Sequence, residues 1–359
     1  MNKIIYKDII TFHPGYYIKK LIEETGMTQD ELSKRLDTSG KYVSTLINGK
    51  IDLTDEMASK LSTVFGTSIS LWLNLNKTFI EKKIEISELI RNDEETKLLK
   101  NLDYNFWVKL NLIQPVKKEI EKVRELQKYF KISSLSVLKR RDFLVRYRTE
   151  ISKIREINVI NSNAWAQTAI NLGNNIQVEK FNEKKLRNYF SDIKKMTLQS
   201  PEVFSPFLKK IFSECGIALV FLPDLKNCEI SGIIKWQNKD KVILVINDKR
   251  KYSDTFWFSL FQELDNVIKK RIASIIINHK NDEPKILEKK SNLFSKNLLI
   301  PEEKYNNFIS NKRFDEISII KFSKDLEIHP GIIITILQKE GFMPYKTNLN
   351  SLKQKYVFN

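Results

Sequence analysis

Histidine and cysteine are scarce in this chain: three His and two Cys in 359 residues. Cys215 and Cys228 have no metal-ligand spacing, and so sparse a pair excludes a disulfide scaffold, which leaves buried structural thiols as the expectation. No run reaches the roughly 18 apolar residues that a transmembrane helix needs. The polar start MNKIIYKDII lacks the apolar centre of a signal peptide. These absences point to a cytoplasmic protein with no membrane partner. At 42% hydrophobic content and 29% charged residues, the composition is that of globular domains, and the length suits two or three of them.

The net charge is +17. Lysines and arginines that neutralise phosphates release counterions, so such a balance fits a nucleic-acid partner; a Lys-, Asn- and Ile-rich composition running through the whole chain produces the same excess without one. Residues 1–80 carry 10 basic and 9 acidic side chains, whereas 81–359 carry 51 and 35. Charge therefore does not locate a DNA site.

Local pattern is more informative. Within residues 1–80, apolar residues recur at helical spacing in short blocks broken at Gly26, Asp37–Ser39, Gly49 and Gly66, which predicts a bundle of four or five short helices. Thr28, followed three residues later by Glu31, reads as a capping box that turns Leu32 and Leu36 inward. Ser39 caps a second helix whose Val43, Leu46 and Ile47 share a core face. Gly40, Lys41, Tyr42, Ser44 and Thr45 are left for the outer part of that helix. Small and polar residues at the start of a second helix suit entry into the major groove, with Gln29 near the flanking phosphate. The candidate DNA-binding set is Gln29, Ser39, Gly40, Lys41, Tyr42, Ser44 and Thr45.

The match extends beyond the two helices. From FHPG at Phe12 through TQDELSKRL, VSTLINGK and LTDEMASKL to FGTSISLWLNLN, ending at Asn76, the segment resembles the HigA-type antitoxins of the Xre helix-turn-helix superfamily. Ser33 departs from the small alanine usual there. The resemblance implies double-stranded operator DNA as a partner, a homodimer, and a HigB-type ribosome-dependent endoribonuclease as the toxin.

Residues 81–200 alternate charged clusters with apolar residues at three-and-four spacing and read as a helical connector. Trp107 and Trp165 are expected in its core. The basic run Lys139–Arg148 fits a solvated helix face, and also a contact to DNA backbone or to an acidic partner.

After residue 200 the period changes. GIALVFLP, ISGIIKW and KVILVIN predict three strands of an antiparallel sheet, followed by a helix from Ser253 to Lys270 and a second helix from near Glu283 to Pro301. This order, with IALVFLPDL, INDKRKYSDTFWFSLFQEL and the Glu288, Asn292, Phe294, Leu298, Pro301 pattern, resembles the ImmA/IrrE metallopeptidases from about Ser200 to Phe342. The family's HExxH helix holds zinc by two histidines one turn apart, its glutamate acts as base, and a downstream glutamate completes the ligand set. Here those positions are Gln262, Glu263, Asn266 and Glu288. Both carboxylates remain and both imidazoles are gone, so the expectation is no metal, no cofactor and no catalytic residue.

The sequence thus predicts a multidomain, mainly α protein: a helix-turn-helix bundle (1–80), a helical connector (81–200) and an α+β zincin-like domain without its metal site (201–359). Three functions fit: an antitoxin that represses its own operon; a stand-alone phage- or stress-linked regulator with a ligand-sensing pseudo-peptidase domain; and, against the lost histidines, an active repressor-cleaving peptidase.

Overall fold

The computed structural model describes residues 2–146, 155–230, 232–247, 252–269, 275–276 and 293–356. It divides into two compact units, Met1–Lys97 and Leu98–Asn359.

The first unit opens with a feature that the sequence reading did not anticipate, an antiparallel hairpin of β1 (Lys3–Tyr6) and β2 (Ile9–Phe12). Four short helices follow: α1 (Pro14–Thr25), α2 (Gln29–Arg35), α3 (Gly40–Ile47) and α4 (Asp55–Phe65). The fifth helix, α5 (Ile69–Leu99), continues well past the expected end near residue 80. Its inner stripe Trp72, Phe79 and Ile86 is buried at seven-residue intervals. One further interval along, Asp93 accepts a hydrogen bond from Tyr6 Oη (2.7 Å) and pairs with Lys7 (2.7 Å) of the hairpin. The hydrophobic core joins Ile18, Leu32, Leu36, Val43, Leu46, Ile47, Leu61 and Trp72, and so includes every core position assigned from the helical period.

Each short helix is started by a side chain. Thr28, Ser39 and Thr54 accept from the backbone amides of Glu31, Tyr42 and Met57, satisfying a donor that the helix itself leaves over. Helix α4 ends at Gly66, whose φ of 64° lies in the left-handed region that glycine enters without strain.

In the second unit, α6 (Tyr104–Lys109), α7 (Glu119–Phe130), a 3-10 turn (Leu135–Lys139) and α8 (Glu156–Asn175) precede the sheet. Helices α9 (Glu183–Asn188), α10 (Phe190–Lys195) and α11 (Pro201–Glu214) then lead into strands β4 (Ile217–Leu222), β5 (Gly232–Asn238) and β6 (Lys241–Asn247). The sheet order is β4-β6-β5. Strands β5 and β6 form the expected antiparallel hairpin, but β4 pairs with β6 in parallel, Ile217 opposite Val242 through Leu222 opposite Asn247. The expectation of a wholly antiparallel sheet is corrected by the link 223–231: it is long enough to step over one strand position, about 10 Å, so β6 returns between the other two. Fully covered on both faces, β6 reads as the continuous run KVILVIN.

Alternate residues of these strands feed two cores. Leu219, Val242, Leu244 and Ile246 pack with residues of α11 and of the helix α12 (Ser253–Ile268). Val220, Ile243 and Val245 pack with residues of α7 and α8. A Cβ on Gly173 would lie 2.4 Å from Ile243 Cγ2, so α8 rests directly on the central strand. Of residues 81–200, expected as a helical connector, Leu186, Ile193 and Met196 join the core on one face of the sheet, while those of α6, α7 and α8 cover the other. Trp107 and Trp165 are fully buried there, their indole N–H groups donating to Thr168 Oγ1 and the Pro223 carbonyl, both at 2.8 Å. Cys215 and Cys228 are buried, and burial pushes the Cys215 thiol up to about 11.

The basic run at Lys139–Arg148 is not a helix face. It leaves the 3-10 turn and enters the two-residue strand β3 (Val145–Arg146), paired in parallel with β7 (Ile275–Ile276); residues 147 and 148 lie outside the described residues. Lys139 pairs with Glu156 and Arg140 with Asp142. After α12 come α13, described over 293–299 while the start expected near Glu283 lies outside the described residues, then α14 (Glu302–Ser310), α15 (Glu316–Leu326) and α16 (Pro330–Lys339). Among the described residues, no helix is long and apolar enough to cross a membrane.

Candidate nucleic-acid interface

Helices α2 and α3 meet where both are smallest. A Cβ on Gly40 would find Ser33 Oγ as its nearest neighbour, 3.9 Å away. Ser33 is buried, and its hydroxyl donates to the Asp30 carbonyl at 2.7 Å, so the serine that stands for an alanine closes its own hydrogen bond. Behind α3, the amino terminus of α1 comes against its carboxy-terminal carbonyls: a Cβ on Gly15 would lie 2.2 Å from Leu46 O and 2.7 Å from Ile47 O. Only glycine permits that approach. His13 caps α1, its Nδ1 accepting from Gly15 N at 3.0 Å while its ring meets Phe79 edge-on at 5.0 Å. Burial lowers the pKa of His13, as an acceptor nitrogen requires. Thus α3 is fixed from behind by packed, uncharged groups.

Its front is open. Gln29, Ser39, Gly40 and Lys41 are exposed, and Tyr42, Ser44 and Thr45 are half-buried along the same stretch. The structure brings all seven residues anticipated from sequence into α2, α3 and the cap between them, with different degrees of commitment. The Ser39 hydroxyl serves the cap, and Thr45 Oγ1 donates to the Lys41 and Tyr42 carbonyls. Gln29 and Lys41 have no such obligations.

Charge sharpens the picture. On α2, Lys34 and Arg35 are neutralised by Asp30 (2.8 Å) and Glu31 (2.7 Å), which also takes Glu31 out of the reciprocal half of a capping box. Lys41 and Lys50, at either end of α3, are exposed and form no ion pair among the described residues. Lys50 was not anticipated. Its signal was present as a lone base just beyond the second helix, after the turn at Gly49. Two uncompensated cations bracketing an exposed polar helix suit phosphate contacts on both sides of a groove.

The helix that resembles a zinc-peptidase helix has a different environment. Most of α12 is buried, and Gln262, Glu263 and Asn266 are the half-buried side chains of its second half. Asn266 Nδ2 donates to Glu263 Oε2 at 3.2 Å, and Glu263 approaches Gly232 at the start of β5. Glu288 lies outside the described residues, as does His279. Neither remaining histidine has a free Nδ1. His13 caps α1, and His329 caps α16 in the same way, accepting from Gly331 N at 3.2 Å. Among the described residues these positions offer two amides and one carboxylate, and the Asn266 amide donates to that carboxylate.

A helix-turn-helix family model matches residues 18–72, from the middle of α1 to Trp72 of α5. The chain is 35% identical over 82 residues to an uncharacterized HTH-type transcriptional regulator of Escherichia coli (strain K12), YddM, a match spanning 22% of this chain and 87% of that protein. It is 37% identical over 68 residues to virulence-associated protein A' of Dichelobacter nodosus, 19% of this chain and 59% of that one. A solved hypothetical protein from E. coli, 29% identical, covers 26% of this chain and 91% of its own with a TM-score of 0.20. Through its first unit the chain belongs to the Xre-type helix-turn-helix transcriptional regulators.

Proposed function

We propose that this protein is a sequence-specific repressor of its own operon, acting as the antitoxin of a HigB-type toxin, and that its second unit is a catalytically dead metallopeptidase-like module for binding a partner or ligand. The observation that carries the DNA half is the exposure of Gln29, Ser39, Gly40 and Lys41 at the start of α3, with Lys50 beyond its other end. One such helix reads a half-site, so a homodimer on a palindrome with half-sites about 34 Å apart is the expected complex. The antitoxin half rests on the resemblance of residues 12–76, and the inactivity on the donor set at Gln262, Glu263 and Asn266.

Footprinting of the full chain on the DNA upstream of its gene, together with co-expression of any short basic frame beside it, tests both halves. A two-fold protected site and rescue from toxicity are the expected results. An unprotected upstream region refutes self-repression, and unrelieved toxicity refutes the antitoxin role. A stand-alone regulator that senses a ligand through the second unit is favoured by one observation, a basic cavity in that unit.

A further inference from the structure

Helices α14 and α15, with the turn between them, form an open cavity of about 920 Å³ whose lining includes Lys304, Phe308, Arg313, Lys321, Phe322 and Asp325. Three cations face it against one carboxylate. Among the described residues, none of Lys304, Arg313 and Lys321 is in an ion pair, although the chain pairs many of its exposed lysines within single helices. On the side of α10, Lys194 is half-buried next to Lys304, and its pKa is lowered by burial and by that like charge. Lys195, its neighbour, takes up Glu327 at 3.2 Å. Cations that outnumber the carboxylates around them create a potential that an anion relieves.

The cavity also has an aromatic component. Phe308 and Phe322 stack at 4.1 Å between centroids and 6° between planes, each packed against the core and only partly exposed. Their rims carry the side-chain amides of Asn307 and Asn311, which both donate and accept.

We propose that this cavity binds a mononucleotide, with its phosphates held by Lys304, Arg313 and Lys321 and its base laid against the Phe308–Phe322 pair. Asp325, a misfit for a bare phosphate site, becomes an acceptor for ribose hydroxyls, and the two asparagines serve the base edge. The volume falls within the roughly 300–1,000 Å³ of small-ligand sites. A single-stranded nucleic acid would instead call for a groove with successive aromatic platforms. The inference deepens the reading of the second unit as a ligand-binding module, and it is independent of DNA recognition by α3.

Titration calorimetry of the full chain with ADP, pyrophosphate and a ten-residue thymidine oligonucleotide tests it. ADP should bind roughly tenfold more tightly than pyrophosphate, and Lys321→Glu and Arg313→Glu should each weaken ADP roughly tenfold or more with the fold intact by circular dichroism. Phe308→Leu, which conserves apolar volume, should narrow the preference for ADP over pyrophosphate. No binding of ADP at millimolar concentration, equal affinity for pyrophosphate, tighter binding of the oligonucleotide, or unchanged affinity in both charge variants overturns the proposal. Operator binding measured on the same preparation separates this outcome from the fate of the repressor reading.

Discussion

Helices α3 and α12 each carry the residues of a recognisable motif, and the two have been kept in opposite ways. In α3 the inward face is apolar and tightly fixed while the outward face keeps polar and cationic side chains in water. In α12 the apolar residues Phe256, Trp257, Leu260, Phe261 and Leu264 are completely buried, and the positions of the chemistry hold amides. A helix that must touch DNA is useful only while its front stays exposed and uncompensated. A helix at the centre of a core is held by packing, whatever its polar positions carry.

The strongest test of that contrast removes the fixing of α3 without touching its front. Gly15→Ala forces a methyl group into the Leu46 and Ile47 carbonyls. It should cost about 3 kcal/mol in the first unit and abolish operator binding while leaving the melting of the second unit unchanged. Calorimetry showing one shifted and one unshifted transition is the check.

Changes on the front should act on DNA alone. Lys41→Ala is expected to weaken specific binding by roughly 1–3 kcal/mol at unchanged thermal stability. Lys50→Ala should weaken binding to all sequences alike and lower the salt slope by about 1. Salt-dependent gel shifts on operator and scrambled DNA distinguish the two. Loss of sequence preference in the Lys50 variant would move base reading to the end of α3.

A smaller effect concerns pH. His13 and His329 both have lowered pKa values through burial, and each accepts a backbone N–H through Nδ1, which only the neutral ring can do. The unfolded chain therefore binds protons first as pH falls. The stabilisation is complete above the ordinary histidine value of 6.5 and is lost as pH drops through the lower folded values. His13→Asn keeps a capping acceptor and removes the titration. It should flatten the acid side of the first unit's stability profile at a cost of about 1 kcal/mol or less at neutral pH, as read by urea melts between pH 7 and 5. At the bottom of the scale, EDTA should leave the melting of the second unit unchanged, and elemental analysis after dialysis should find no stoichiometric zinc.

The first unit was legible because its determinants are local. Capping by Thr28 and Ser39 and the core positions Leu32, Leu36, Val43, Leu46 and Ile47 follow from side chains within one or two turns of each other. The β1–β2 hairpin was not legible: its strands are four residues each and their anchor, Asp93, lies more than eighty residues away. In the second unit the strands were legible as β-branched runs, but their pairing was not, since β4 reaches β6 only by passing over β5's place in the chain order. For α12, the sequence supplied Gln262 and Glu263 one turn before Asn266. The commitment of two histidines as helix caps required the fold.

By itself, then, the sequence determined the helix starts and the apolar faces of the first unit, because short-range periodicity and side-chain identity suffice for these. Only tertiary structure decided that α6, α7 and α8 cover one face of the sheet and that β4 runs parallel to β6. It alone showed that Lys41 and Lys50 stay uncompensated while Lys34 and Arg35 do not, and that Lys304, Arg313 and Lys321 converge on one cavity. Those outcomes depend on which distant groups come within a few ångströms of one another, and no local pattern in the chain encodes that distance.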